Sequence, residues 1–227
     1  MRVLVTGGAG YIGSHAVKAL IAAGHDPVVY DDLSTGHREA VRNVPLVEGD
    51  VRYVERLAGA IARWEVEAVM HFAAKIQVGE SMTDPAKYYE NNVGGGIALL
   101  AACRECGVRK LIFSSTAAVY GEPREVPIPE EHPLEPTSVY GRTKLAFERM
   151  LADYAAAYPF EYIALRYFNA AGADPDGKLG EDHDPETHLI PLVLDAALGR
   201  REAITVFGTD YPTQDGTCVR DYVHVSD

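Results

Sequence analysis

Short apolar runs alternate with longer segments of helical periodicity through most of the chain. The runs predict strands over residues 2–6, 26–31, 45–50, 66–73, 109–115 and 160–168. Helices are predicted from Tyr11 to Gly24 and near residues 53–63, 85–106 and 138–157. The strands are apolar on both faces, which is typical of a parallel sheet covered by helices on both sides. We therefore predict an α/β fold with a doubly wound parallel sheet.

One stretch interrupts this alternation. Residues 122–138 read EPREVPIPEEHPLEPTS, and their prolines and glutamates exclude a helix or a central strand. The stretch is too short to link independent domains. We predict a surface loop over a cleft.

The pattern changes after Asn169. Residues 172–188 are polar and rich in turn formers, and they are followed by a predicted helix from Leu189 and a predicted strand over 203–208. This indicates the start of a second, smaller unit. The chain stops at RDYVHVSD without a helix cap, a glycine or a polar tail, so we expect it to be C-terminally truncated.

Composition narrows the partners. The 227 residues are 47% hydrophobic and carry a formal net charge of −12, which argues against nucleic acid and anionic membranes as partners. No apolar run is long enough for a membrane span, and MRVLVTGG does not resemble a signal peptide. Cys103 and Cys106 form a lone CxxC, which indicates helix cysteines rather than zinc ligands. We expect a reducing cytoplasm.

A glycine-rich turn follows the first strand. VTGGAGYIGSH places Gly7, Gly10 and Gly13 between this strand and the first helix. The first glycine allows a tight turn, the second lets a pyrophosphate approach the backbone, and the third lets the helix pack on the strand. The free N–H groups of the helix N-terminus then favour the anion.

An acidic pair ends the second strand. Asp31 can accept hydrogen bonds from both ribose hydroxyls of an adenosine. Asp32 adds a negative charge that would repel a 2′-phosphate. The pair predicts NAD rather than NADP as the cofactor.

A tyrosine and a lysine share one face of a predicted helix. Tyr140 and Lys144 are four residues apart in TSVYGRTK. A tyrosine has a pKa of about 10 in water, and a nearby ammonium group together with an oxidised nicotinamide would lower that pKa. Such a phenol could take a proton from a sugar hydroxyl while hydride leaves the same carbon.

Three hydroxyl residues follow the fifth strand, where open α/β sheets bind ligands. They are Ser114, Ser115 and Thr116 in FSSTAAVYG. Thr116 could hydrogen-bond the reacting hydroxyl and share its proton with Tyr140. The alternative is a turn without chemistry.

Together these motifs resemble the extended short-chain dehydrogenases. Four further stretches are similar to the UDP-glucose 4-epimerase family: MHFAAKIQVGES, YYENNVGG, LRYFNAAGA and FGTDYPTQDGTCVRDYVHV. The resemblance runs from residue 1 to 227. It implies a Rossmann-type NAD-binding domain over 1–169 and a partial UDP-sugar domain over 170–227. The implied reaction is C4 epimerisation of UDP-glucose and UDP-galactose through a 4-keto sugar, as part of galactose metabolism.

The resemblance also assigns residues. Thr116, Tyr140 and Lys144 would be catalytic, and Lys144 would also bind the nicotinamide ribose. Further contacts to NAD would come from Tyr11, Ile12, Asp50, Val51, Phe72, Ala73, Ala74, Asn91 and Phe168. The substrate would be held by Asn169, His188, Leu189, Phe207 and Arg220, and a guanidinium such as that of Arg220 suits a diphosphate. Helices 85–106 and 138–157 resemble the pair that forms the family's dimer interface, so we expect a homodimer.

Two positions depart from the family pattern. Some members carry a lysine that reaches the cofactor at the position of Ile76, whereas this chain has Lys75 one place earlier. Some carry asparagine at the position of His188. The family is also longer than this chain, by a last third that would close the sugar pocket.

Other readings remain open. A nucleotide-sugar 4,6-dehydratase or a decarboxylase would need carboxylates after Thr116, where this chain has Ala117 and Ala118. A second alternative is an NAD-binding module without turnover. Asp182, His183, Asp184 and His188 raise the question of a metal site; we predict a solvated acidic loop and no metal.

Overall fold

The computed structural model describes residues 1–41 and 43–227. By its contacts the chain forms two compact units, Met1–Tyr167 and Phe168–Asp227, here called unit 1 and unit 2. Within the described ranges, no helix is both long and apolar enough to span a membrane.

Unit 1 contains a six-stranded parallel sheet. Its strands are β1 (Arg2–Thr6), β2 (Asp26–Asp31), β3 (Leu46–Glu48), β4 (Ala68–His71), β5 (Lys110–Ser114) and β6 (Glu161–Leu165). They lie in the order β3-β2-β1-β4-β5-β6, which is the order of a dinucleotide-binding doubly wound sheet. The predicted fold class is confirmed.

Helices cover both faces of this sheet. They are α1 (Tyr11–Ala22), α2 (Val54–Arg63), α3 (Val78–Thr83), α4 (Pro85–Tyr88), α5 (Gly95–Cys106) and α6 (Val139–Ala157). Along β1, Val3 and Val5 belong to one hydrophobic cluster and Leu4 to another, because successive side chains of a strand point to opposite faces. The continuous apolar runs follow from this burial on both sides.

The predicted helix over residues 85–106 has a wider turn in its middle. Residues Tyr89–Gly94 form a π-helical segment between α4 and α5. The turn contains Asn91 and Asn92, and Asn92 is buried. Such segments are frequent at functional sites, and this one carries a residue that the sequence assigned to the cofactor.

The sixth strand is shorter than predicted. Strand β6 ends at Leu165, before Tyr167 and Phe168. The carbonyl of Tyr167 accepts a hydrogen bond from the backbone N–H of Ala117 at 3.1 Å, so the chain leaves the ladder to meet the turn after β5. Residues 122–138 contain no helix or strand, as predicted.

Unit 2 contains the helix α7 (Leu189–Ala197) and a pair of short parallel strands, β7 (Asn169–Ala171) and β8 (Tyr222–His224). The helix confirms the prediction from Leu189. The predicted strand over 203–208 is wrong: this segment has no regular structure and Phe207 is 98% exposed. A strand needs a partner, and β7 pairs with β8 instead.

Candidate active site

The glycine turn packs tightly against the end of β4. Gly7 has a φ of +72°, and a Cβ there would lie 2.5 Å from the backbone nitrogen of Ala73. A Cβ on Gly13 would lie 2.1 Å from the carbonyl oxygen of Gly7. Both positions therefore exclude any side chain by packing within the protein.

Gly10 differs from its two neighbours. A Cβ there would meet only the Gly7 carbonyl oxygen at 3.4 Å, an ordinary contact. Gly10 also forms the N-cap of α1, and no side chain caps this helix end. The protein itself does not require a glycine here, whereas a pyrophosphate approaching the N–H groups of Tyr11 and Ile12 would. The turn thus fits a dinucleotide.

Asp31 anchors the turn from the end of β2. Its carboxylate accepts hydrogen bonds from the N–H of Ala9 at 2.9 Å and of Leu33 at 2.8 Å. Burial raises the pKa of Asp31, and these two backbone donors oppose the rise. A carboxylate offers about four lone-pair sites, so two stay available for ribose hydroxyls.

Two residues assigned to the cofactor, Asp32 and Asn91, line one depression of about 380 Å³. Its lining also includes Lys75. Lys75 Nζ donates to Ser34 Oγ at 3.2 Å, beside the turn that follows Asp31. Lys75 therefore lies at the acidic end of β2, which places a positive charge near Asp31 and Asp32.

The remaining cofactor residues of unit 1 flank the ends of β3 and β4. The N–H groups of Phe72 and Ala73 donate to the Thr6 carbonyl at 2.8 and 3.1 Å, which fixes the stretch Phe72–Ala74 beside the glycine turn. Asp50 forms an ion pair with Arg52 at 2.5 Å. Val51 is 5% exposed and its side chain belongs to the core.

Tyr140 and Lys144 lie on the face of α6 that points to the end of β5. Lys144 is 3% exposed, and its Nζ donates to the carbonyl oxygen of Ser114 at 2.8 Å. The ammonium lies 5.8 Å from the centre of the Tyr140 ring and 4.9 Å from that of Phe113. Burial lowers the pKa of Lys144 to about 7, although the charge of Glu148 opposes this.

The pKa of Tyr140 moves opposite to the expectation from sequence. Burial raises the pKa of Tyr140 to about 12, and a hydrogen bond with Thr116 acts in the opposite direction. The nearby lysine does not reverse the shift, and burial lowers the pKa of Lys144 as well. The protein alone therefore keeps the phenol protonated at neutral pH.

Hydroxyl groups surround this pair. Thr116 is 9% exposed and its Oγ1 accepts from the N–H of Ala118 at 3.1 Å, which fixes the turn after β5. Ser114 Oγ hydrogen-bonds the hydroxyl of Tyr167. The structure thus brings Thr116, Tyr140 and Lys144 to the carboxyl end of β5, the edge where such sheets bind ligands.

Asn92 supports the site and was missed from the sequence. Its Nδ2 donates to the carbonyl oxygen of Lys75 at 3.0 Å and to Thr143 Oγ1 at 3.1 Å. Its Oδ1 accepts from the N–H of Lys75 at 2.8 Å. Thr143 in turn donates to the Tyr140 carbonyl at 2.7 Å. One buried amide therefore links α6 to the loop after β4.

A partly buried ion pair lies one helical turn beyond Lys144. Glu148 is 7% exposed and accepts from Arg166 Nη2 at 2.6 Å and Nε at 3.1 Å. Glu148 also accepts from Ser115 Oγ, next to Thr116. The sequence signal was an acid four residues after the lysine, which alone does not distinguish a buried pair from a solvated helix face.

The predicted substrate residues lie in unit 2 at three places. Asn169 begins β7, and its Nδ2 donates at 2.8 Å to the carbonyl of Asp221, the residue after Arg220. His188 and Leu189 lie together at the start of α7. Phe207 is 98% exposed and lies in neither group. Phe168, assigned to the nicotinamide, is 44% exposed at the start of the unit.

Known proteins resemble this chain over its whole length. A UDP-glucose 4-epimerase from Rhizobium meliloti is 55% identical over 226 residues, and one from Lacticaseibacillus casei is 53% identical over 228 residues. Each alignment covers 100% of this chain and 69% of the relative. The chain thus spans about 69% of the length of these two proteins.

Solved structures agree with this likeness. The UDP-glucose 4-epimerase of Brucella ovis in complex with NAD superimposes with a TM-score of 0.96 at 57% identity, over 99% of this chain and 69% of that one. The Bifidobacterium longum enzyme in complex with NAD+ and UDP gives 0.96 at 39% identity, over 100% and 71%. The model of the NAD dependent epimerase/dehydratase family matches residues 3–227. The chain belongs to the NAD dependent epimerase/dehydratase family.

Proposed function

We propose that the chain catalyses the reversible, NAD-dependent C4 epimerisation of UDP-glucose and UDP-galactose. The observation that carries this proposal is the convergence of Thr116, Tyr140 and Lys144 at the sheet edge that also holds the glycine turn. The relatives named as UDP-glucose 4-epimerases support the choice of sugar nucleotide.

NAD is the proposed cofactor, held in unit 1. Gly10 and the uncapped start of α1 would accept the pyrophosphate, with the N–H groups of Tyr11 and Ile12 pointing to it. Asp31 would bind the adenosine ribose. Asp50, Val51, Phe72–Ala74, Asn91 and Phe168 complete the proposed set of NAD contacts, together with Gly7, Gly13, Asp32, Tyr140 and Lys144.

In this reaction the residues of the protein transfer the proton and orient the substrate. When bound, NAD supplies the acceptor for a hydride from carbon 4 and, in its oxidised form, a positive charge. Tyr140 takes the proton of the hydroxyl on carbon 4, and Thr116 hydrogen-bonds that hydroxyl. Lys144 is 3% exposed, and this burial keeps water away from the Tyr140–Lys144 pair.

Tyr140 can act as a base only if its pKa falls from about 12 towards neutrality. A positive charge brought next to the phenol favours the phenolate, and Lys144 is already held 5.8 Å from its ring. The hydroxyl proton would pass to Tyr140 while the hydride on carbon 4 is given up to the NAD that these residues would hold, which leaves a ketone at carbon 4. The carbonyl carbon is planar, so the face to which the hydride returns determines whether UDP-glucose or UDP-galactose forms.

Unit 2 is the proposed source of contacts to the nucleotide part of the substrate. Arg220 is exposed and offers a guanidinium to the diphosphate. Asn169, His188, Leu189 and Phe207 complete the proposed set. The side chain of Asn169 donates to the carbonyl of Asp221, which directly follows Arg220 in the chain. This contact supports placing Asn169 and Arg220 close together.

Dehydratase and decarboxylase chemistry fits the turn after β5 less well. Ala117 and Ala118 follow Thr116 and provide no acid or base. Glu148 is nearby, but its carboxylate is occupied by Arg166 and Ser115. A proton donor for elimination is therefore missing from the described part of this turn.

We also propose a homodimer formed through α5 and α6, and a cytoplasmic location. Ile97 on α5 is 55% exposed, an apolar residue that a dimer contact would cover. All three cysteines are free thiols, which agrees with a reducing compartment. Light scattering coupled to gel filtration tests the dimer: a monomer mass for the wild-type chain would contradict it.

The test of the activity uses the purified chain with UDP-galactose, monitored by proton NMR with and without added NAD. We expect UDP-glucose to form when NAD is present. Retained NAD with no product at any NAD concentration would instead indicate a binding module. Formation of a 4-keto-6-deoxy sugar would indicate a dehydratase.

A further inference from the structure

Four side chains of unit 2 converge near the start of α7. Glu181, His183, Glu186 and His188 each contribute one ligand atom, and these atoms all lie within 4.8 Å of one another. His183 Nδ1 lies 3.4 Å from Glu181 Oε1 and 3.7 Å from Glu186 Oε2. His188 Nδ1 contacts the same Oε1 of Glu181.

The group differs from the one that the sequence indicated. The sequence grouped Asp182 and Asp184 with the two histidines and favoured a solvated loop. The structure instead turns Glu181 and Glu186 inwards, with side chains that are 7% and 14% exposed. Two carboxylates this well shielded from water need a compensating positive charge.

The spacing fits a tetrahedral cation. Zinc binds imidazole nitrogen and carboxylate oxygen at about 2.0–2.2 Å, so neighbouring ligands of a tetrahedral site lie about 3.3–3.6 Å apart. The contacts of His183 to the two glutamates, at 3.4 and 3.7 Å, are close to this range. The contact between His188 Nδ1 and Glu181 Oε1 is a direct hydrogen bond, which the ion would replace. Two carboxylates with neutral imidazoles also carry the charge that a divalent ion neutralises.

The backbone holds one ligand in place before any ion binds. Glu186 Oε1 accepts from the N–H groups of Thr187 at 2.7 Å and His188 at 2.8 Å. These bonds orient Glu186 so that its other oxygen, Oε2, faces His183. Hydrogen bonds of this kind to a ligand raise the affinity of metal sites.

We propose that Glu181, His183, Glu186 and His188 bind one divalent cation of the zinc type. All four ligands belong to unit 2, and the proton transfer assigned to Tyr140 requires no metal. The ion is therefore structural, and it holds the last part of the polar segment 172–188, from Glu181 to His188, at the N-cap of α7. His188, proposed above as a substrate contact, would here bind the ion instead.

The test is a calorimetric titration, in which zinc alone is added to the full chain after treatment with a chelator. We expect one zinc per chain. The substitutions His183→Ala and Glu181→Gln should weaken binding by more than about 100-fold, since loss of an outer partner alone costs about 10- to 100-fold. Asp184→Asn in the same segment and His25→Ala in unit 1 should bind zinc like the wild type.

Two results would overturn the proposal: no zinc binding by the wild-type chain, or an equal loss in the two control variants. Cobalt gives a second measurement that does not depend on how well a variant folds. The wild-type chain should give the strong visible absorption of tetrahedral cobalt. A weak octahedral spectrum would count against the site.

Discussion

The proposed catalytic residues of unit 1 and the proposed substrate residues of unit 2 differ in how the protein holds them. Lys144 and Thr116 are 3% and 9% exposed, and both make hydrogen bonds within their unit. Leu189 and Phe207 are 55% and 98% exposed. The chemistry is thus preorganised by packing, whereas the recognition residues depend on what they bind for their geometry.

The difference predicts separable effects. Changes in unit 1 should alter turnover, cofactor binding or stability, because each residue there is packed against others. Changes at exposed positions of unit 2 should alter substrate affinity and leave stability near its original value.

The largest effect is expected from Tyr140→Phe. The change removes the proposed base and little volume, so turnover should fall by about 10²- to 10⁴-fold while NAD still binds. Steady-state kinetics and NAD calorimetry check this. Tyr158→Phe, at the exposed end of α6, is the matched control and should keep full activity. Undiminished turnover of the Tyr140 variant would exclude it as the base.

Glu148→Gln is expected to have the next largest effect. The amide leaves Arg166, whose side chain is 23% exposed, without its counter-charge, and losing a partly buried charged hydrogen bond costs about 1.5–3 kcal/mol of the free energy of unfolding. Urea denaturation measures the loss. The control is Glu135→Gln, whose pair with Arg124 is 66% and 62% exposed and contributes at most about 1 kcal/mol. Equal losses would show that Glu148 is not held as described.

Lys144 should make stability depend on pH. Its pKa is lowered from 10.5 to about 7, so between these values the unfolded chain binds a proton that the folded chain does not. The free energy of unfolding should therefore rise with pH from about 7 to 10, by a few kcal/mol. Lys144→Met should lack this rise.

Other groups titrate in the same range, and Tyr140 and Cys103 oppose the rise because burial raises their pKa values. The informative quantity is therefore the difference between the wild type and Lys144→Met. A difference that does not change with pH would contradict the lowered pKa of Lys144.

Substitutions at three glycines should separate the effect of a side chain on packing from its effect on NAD binding. Gly10→Ala should keep stability and weaken NAD binding by about 10- to 100-fold, because its Cβ is tolerated by the protein and meets the pyrophosphate. Gly13→Ala should lose both stability and NAD binding, since its Cβ would lie 2.1 Å from a carbonyl oxygen. Gly59→Ala, in open space on α2, should stabilise by about 0.5–1 kcal/mol. Unchanged NAD affinity in the Gly10→Ala variant would show that the cofactor does not bind at this turn.

The smallest effect is expected in unit 2. Arg220→Ala should raise the KM for UDP-galactose about 10-fold, the value of a charged hydrogen bond, with little change in kcat or stability. Arg200→Ala, another exposed arginine of this unit, should leave KM unchanged. A fall in kcat at constant KM would assign Arg220 to the chemistry instead.

The sequence was sufficient for the central sheet but not for unit 2. Strands β1 and β2 match their predicted bounds, because a run buried on both faces has consecutive apolar residues in its middle. Residues 203–208 have a similar run, AITVFG, but no strand lies beside them within the described unit. Local pattern does not reveal whether a pairing partner exists.

Only part of the site could be predicted from the sequence, for a similar reason. Tyr140 and Lys144 follow from helical spacing, which is a local property. Asn92 and Arg166 act through contacts with residues far away in the sequence, and the direction of the pKa shift of Tyr140 depends on burial. These properties arise only when the chain is folded.

The most direct test of the central claim is the fate of the hydrogen on carbon 4. The chain is incubated with NAD and UDP-galactose in D₂O, and the UDP-glucose is examined by proton NMR. Because hydride leaves carbon 4 and returns to it, we predict product with ordinary hydrogen at this carbon. Deuterium at carbon 4, or no UDP-glucose at all, would contradict the proposed epimerisation.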